Sequence, residues 1–171
     1  MENFTNEIID STQLPKYETI QYSALHSKYW FVVVINLFVL FSIIGIGFGI
    51  ALAYNKHWLP YGIEIGVGSI LFMALAFYFS RVSFLNKGFA FRDHDVLFKS
   101  GFIARNTIVI PYNRVQHVAI HEGLVSRYFG LAKIEIFTAG GNSGDIEIPG
   151  LDKEQAENIK QLLMGKIQKQ L

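Results

Sequence analysis

The chain has 171 residues, enough for one or two domains. Half of it (51%) is hydrophobic and only 17% is charged, against about a quarter charged in ordinary soluble domains. A net charge of +1 makes no global case for nucleic acid, and the absence of cysteine removes disulfides, iron–sulfur clusters and thiol catalysis.

Residues 1–28 form a polar tail with Pro15 and scattered acids at Glu2, Glu7, Asp10 and Glu18. Two readings stay open for it, a disordered tail or a short element at a membrane surface. From Trp30 to Ala53 no residue carries a formal charge, and only Asn36 and Ser42 are strongly polar. At about 1.5 Å per helical residue this run crosses the ~30 Å hydrocarbon core of a bilayer. Its length and its acidic leading tail argue against a cleaved leader and for an uncleaved anchor. Asn55, Lys56 and His57 break the run. A second, Trp58 to Ser80, is apolar apart from Glu64. The pattern predicts a transmembrane hairpin over 29–80, with helices at 30–53 and 58–80, followed by a domain at 81–171. Tyr22, Tyr29 and Trp30 suit the headgroup region, where amphipathic rings settle.

Lys16, Lys28, Arg81, Lys87 and Arg92 flank the outer helix ends, against Lys56 alone in the turn. That asymmetry predicts that both termini are cytoplasmic. Gly45 and Gly49, then Gly62 and Gly66, stand at the spacing that lets membrane helices approach closely, within the hairpin or between subunits. The plainer reading is that glycine is common in such helices. Glu64 is the one ionisable residue inside either run, the kind of group that serves proton relays. No second ionisable group lies deeper, and Glu64 is near enough to the interface to reach water.

Beyond Phe84 the period changes to two. Phe89 and Phe91 alternate with Ala90 and Arg92, and Asp93-His94-Asp95 reads as a turn. Val96–Lys99 and Thr107–Tyr112 read as strands, with Pro111 marking an end or an edge position. Val115–Glu122 is extended, with Val118 and Ile120 inward. Gly123–Gly130 is a loop or one helical turn. Ala132, Ile134, Ile136 and Thr138 then face one way, and Lys133 and Glu135 the other. A glycine-rich turn at 140–144 leads to Ile146 and Ile148, making an antiparallel hairpin. Pro149-Gly150 is expected to stop the sheet. Asp152 with Gln155 has the form of a capping box, after which Ala156, Ile159, Leu162, Leu163 and Ile167 recur at helical spacing.

Four segments, Asn113–Val118, Arg127–Ala132, Thr138–Gly141 and Ile148–Leu151, resemble the bacterial pleckstrin-homology (PH) domain of YdbS-like membrane proteins. The resemblance covers roughly residues 28–165. It implies two antiparallel sheets packed near-orthogonally and capped by a C-terminal helix, carried on a membrane α-helical hairpin in a bacterial cytoplasmic membrane. It also implies a partner, a larger membrane protein with repeated PH-like domains. Eukaryotic PH domains that bind phosphoinositides carry basic residues around their first strand-to-strand loop. The corresponding loop is read here as Asp93-His94-Asp95, which repels phosphate.

No phosphate-binding loop and no His-Glu-x-x-His is present, and no cofactor is expected. His117 and His121 on one strand lie about 13 Å apart, too far to share a metal. Arg114, Gln116 and His117, with Arg127, form the polar group that a protein or lipid partner would contact; the plainer reading has them satisfying backbone carbonyls at a strand bend. From residue 81 onward twelve basic residues face nine acidic ones, which suits an anionic leaflet. The sequence therefore predicts a non-enzymatic protein-binding or assembly module on the membrane, possible also as a homo-oligomer. The rival readings are a lipid sensor using Lys99, Arg105, Arg114 or Lys133, and a small membrane enzyme or transport subunit centred on Glu64.

Overall fold

The structure, a computed structural model, describes residues 20–55, 60–140 and 144–168. Lys16, the acids of the tail, Lys56, His57, Trp58 and the middle of the 140–144 turn lie outside the described residues. Helices α1 (Tyr29–Tyr54) and α2 (Gly62–Asn86) form where the sequence is most apolar, and they pack side by side with Phe41 against Phe72. Large apolar side chains from Phe31 to Leu85 stay exposed along both, and Val32 is the one buried residue of the pair. Surfaces that apolar suit lipid, where a helix also satisfies its backbone internally.

Helix α2 continues six residues past the expected end at 80. The reason is visible at Arg81, whose guanidinium lies over Trp30 (4.8 Å) and Phe84 (5.5 Å). A cation held on aromatic faces at an interface does not interrupt a helix.

The tail also differs from expectation, because its last residues belong to the domain. Strand β1 (Ser23–Ala24) pairs with β2 (Gly88–Phe91) in antiparallel register, Ser23 opposite Phe89 and Ala24 opposite Gly88. Leu25 is buried in the core. Sheet order is β1-β2-β3-β4, with β3 at Asp95–Ser100 and β4 at Asn106–Pro111. The connection from β1 to β2 is thus the pair of apolar helices, and Asp93-His94-Asp95 is the second connection, not the first.

A 3₁₀ turn (Tyr112–Arg114) leads into a second antiparallel sheet of β5 (Val115–His121), β6 (Leu131–Thr138) and β7 (Ile146–Asp152). Helix α3 (Leu124–Tyr128) connects β5 to β6. The alternation read for β6 holds, with Ala132, Ile134 and Ile136 buried and Lys133 paired outside with Glu147 at 3.0 Å. Helix α4 (Lys153–Gln168) lays Ala156 and Leu163 onto the second sheet. Val96, Phe98 and Ile110 meet Ile134, Ile136 and Ile148 in one core. This is a PH-like domain.

Pro149-Gly150 does not stop the sheet. β7 runs through both residues, and the register shifts between Ala132 and Ile134 absorb them as an irregularity. Gly150 has φ +67°, and its carbonyl accepts a bond from His26 N–H at 3.0 Å. A Cβ placed there would lie 2.6 Å from Tyr29 Cγ. Gly150→Ala is therefore expected to cost at least the ~1–2 kcal/mol of a left-handed non-glycine residue, plus the clash. Thermal unfolding of the detergent-solubilised chain checks it. Adding Tyr29→Ala should restore only the part of the clash due to the ring, because Tyr29 Cβ, 2.7 Å away, stays in place.

Candidate functional site

Strand β4 is the outer strand of its sheet. Tyr112 N–H donates to the His94 carbonyl at 3.0 Å. Counting back along the antiparallel register, Ile110 and Ile108 exchange bonds with Val96 and Phe98, while Thr107 and Val109 direct their N–H groups away from β3. Pro111 has no N–H to offer. The edge is half apolar, with Val109 44% exposed. Beside it runs a cavity of about 340 Å³ lined by β4 residues 108–111, Arg114, Thr138, Ala139, Gly140 and Gly144. Two bonds shape its floor: Ala139 N–H to the Arg114 carbonyl (2.9 Å) and Thr138 N–H to Asp145 Oδ1 (2.8 Å). The arrangement offers backbone donors, an apolar wall and one guanidinium.

Arg114, Gln116 and His117 come together at this end of the second sheet. Register passes from Val115 opposite Thr138 to His117 opposite Phe137, which leaves Gln116 as the extra residue of a bulge. His117 stacks on Phe137, ring centroids 4.1 Å apart. Arg127 does not join them. It sits on α3 beyond the far end of β5, about 20 Å along the strand by its ~3.3 Å rise. That end of the domain lies against the apolar helices, where Phe129 stacks on Phe31.

The remaining sequence candidates disperse. His121 pairs with Glu135 at 3.0 Å, and no cluster of three or more metal-ligating side chains exists among the described residues. Glu64 lies exposed in the first turn of α2. Gly45, Gly49, Gly62 and Gly66 have open space where a Cβ would be, so they mark no tight backbone approach between α1 and α2. Of the proposed basic face, Lys133 is paired with Glu147 and Lys99 lies over the Tyr22 ring, while Arg105 is exposed in the β3–β4 connection. Pro111, read from the sequence as marking an end or an edge position, stands at the end of a strand that is outermost in its sheet.

A two-sheet, helix-closed domain built onto two membrane-length helices defines a membrane protein of PH-like architecture. The chain belongs to the bacterial PH domain family, whose model matches residues 31–167. That match takes in both apolar helices as well as the domain. The chain is also similar to the UPF0699 transmembrane protein YdbS of Bacillus subtilis (strain 168), 27% identical over 112 residues, which is 64% of this chain and 68% of that protein. No solved structure matches.

Tyr112 holds the corner from which this edge leaves. Its hydroxyl donates to the Arg92 carbonyl at 2.6 Å, and Arg92 is ion-paired with Asp95, which raises the guanidinium's own value. Burial, then Asp95 and Asp93, push the Tyr112 phenol up to about 12. The folded state thus prefers the neutral phenol. This contribution to stability is whole below the ordinary phenol value near 10 and is lost as pH climbs toward 12. Tyr112→Phe should cost about 1 kcal/mol at neutral pH and flatten the stability profile between those two values, as read by urea unfolding.

Proposed function

We propose that this protein is a non-enzymatic binding and assembly module held at the bacterial cytoplasmic membrane. The hairpin crosses the bilayer twice, leaving both termini and the PH-like domain in the cytoplasm. The observation that carries the binding role is the open β4 edge, with the N–H groups of Thr107 and Val109 unused by the sheet and an apolar, arginine-lined cavity beside it. An extended segment of a partner adds there as a fifth strand, its side chains entering the cavity at alternate positions. The partner is a second membrane protein of PH-like class, and a second copy of this chain is the variant of that arrangement in which two β4 edges pair. Backbone pairing supplies affinity and Arg114 supplies selection for an acceptor on the incoming strand.

Val109→Pro tests the edge. It removes an outward N–H without taking a bond from the β3–β4 ladder, a substitution that edge strands tolerate. The domain should keep its thermal midpoint and lose cross-linked partner or dimer in membranes; partner recovery equal to the parent would sink the edge as the docking site.

The absence of cysteine makes the topology readable with single introduced thiols. A membrane-impermeant maleimide applied to intact cells should label Tyr54→Cys and spare Lys153→Cys until the cells are opened. The reverse pattern would invert the orientation.

A further inference from the structure

Where α1 begins and α2 ends, the helices and the β3–β4 connection enclose a second cavity of about 340 Å³. Its lining is graded along α2, from Phe79 and Ser80 through Ser83 and Phe84 to Lys87, and Tyr29, Val33 and Phe102 complete it. Phe102 reaches the helix from the domain, its ring 5.0 Å from that of Phe79. The next residue, Ile103, is 90% exposed, an apolar group at the same level as the helix.

The grading matches the bilayer. Helix α2 has 25 residues, about 37 Å at the standard rise, so its ends extend beyond a ~30 Å hydrocarbon core. Arg81, lying over Trp30 and Phe84, marks the interfacial belt. Ser83 and Lys87 fall on the domain side of that belt, and Phe79 with Val33 on the lipid side. From Lys87 back to Phe79 is eight residues, about 12 Å of helix. Ser80, Ser83 and Lys87 share one face of the chain by their three- and four-residue spacing.

Lys87 is half-buried and has no ion-pair partner among the described residues. Burial lowers its ammonium value, against the weaker opposite pull of Glu147. A cation in that position gains from an anion placed beside it.

We propose that this cavity is a phospholipid site, in which Lys87 and Ser83 hold the phosphate of an anionic lipid of the surrounding leaflet while Val33, Phe79 and Phe102 flank the first methylenes of its acyl chains, the rest of which stay in the bilayer. The lipid enters sideways from the bilayer and joins both helices to the β3–β4 connection. It is distinct from the cavity beside β4, whose Pro111 and Arg114 lie at the opposite end of that strand pair from this connection.

Native mass spectrometry of the full chain in mild detergent tests the site, titrating phosphatidylglycerol and phosphatidylcholine of equal chain length. One phosphatidylglycerol should be retained in preference to phosphatidylcholine. Lys87→Gln should weaken that retention about tenfold, and Ser83→Ala by less. Val33→Trp fills the cavity from the α1 side with the charge intact and should expel the lipid. Arg105→Gln, a cation outside the cavity, should change nothing. Equal retention by Lys87→Gln and Val33→Trp would overturn the proposal, as would an equal loss in Arg105→Gln. Competition by soluble glycerol phosphate at the same concentration would instead make it a site for free phosphate and overturn the lipid assignment.

Discussion

Strands β1 and β2 are neighbours in one sheet, yet the chain between them makes two passes of membrane-length helix. Everything else depends on that closure. A two-residue ladder cannot hold by itself, since isolated strand pairs are marginal in water. It is reinforced by three further contacts. Leu25 enters the core, His26 donates to the Gly150 carbonyl, and the Tyr29 ring lies on the bare α-carbon of Gly150. The first turn of α1 is therefore fastened to both sheets at once, through β2 on one side and β7 on the other. Lys87 alone separates the end of α2 from β2. With one residue at the α2 junction and a four-residue connection at α1 that is itself held by Leu25 and His26, the domain is not a loosely tethered module.

A fixed junction assigns fixed jobs to the two ends of the domain. Phe102 and Phe129 pack against Phe79 and Phe31, and the apolar residues beside them, Ile103, Leu124 and Tyr128, stay almost fully exposed. Apolar side chains in that position are expensive in water and natural in lipid. The cavity beside β4 occupies the other end of the β3–β4 pair, where Pro111, Arg114 and Gly140 are found. The domain thus carries an apolar rim where it meets the helices and a cavity beside β4 at its other end. The bulge at Gln116 belongs to the same logic, since an added residue at a sheet corner twists the strand end and leaves a polar side chain aimed outward.

Much of this was legible in the sequence, and for definite reasons. The two apolar runs are the longest uncharged stretches in the chain, so α1 was placed to within one residue at each end. The alternation of Ala132, Ile134 and Ile136 against Lys133 and Glu135 reports a half-buried strand directly, because one face of β6 meets the core and the other meets Glu147 and His121. The stripe of Ala156 and Leu163 reports α4 in the same way. What escaped has a common cause. Strand β1 is two residues long, too short to show any period, and its partner is more than sixty positions away. Arg81 looked like the end of a membrane run because its charge is visible in sequence and the rings of Trp30 and Phe84 that receive it are not. Pro149-Gly150 looked like a stop because the sequence does not show that the register across β6 shifts to accommodate it.

The candidate site was legible only in part. Pro111 signalled a strand end or edge, but which strand closes the sheet is not visible in sequence, and the residues singled out were the side chains Arg114, Gln116, His117 and Arg127. The feature proposed to bind is a row of backbone groups, which every residue possesses and which becomes available only when a strand happens to be last in its sheet. Arg114 enters the picture because it borders that row, whereas Arg127 faces the membrane end and has a different neighbourhood. Reading a sequence for function through its reactive side chains therefore suits enzymes better than domains of this kind. Here the sheet order is the functional information, and sheet order is a property of contacts between distant segments. The edge is blunted at one end by Pro111, while Thr107 and Val109 carry neither a charge nor a proline. Its exposure is consistent with a surface kept for pairing.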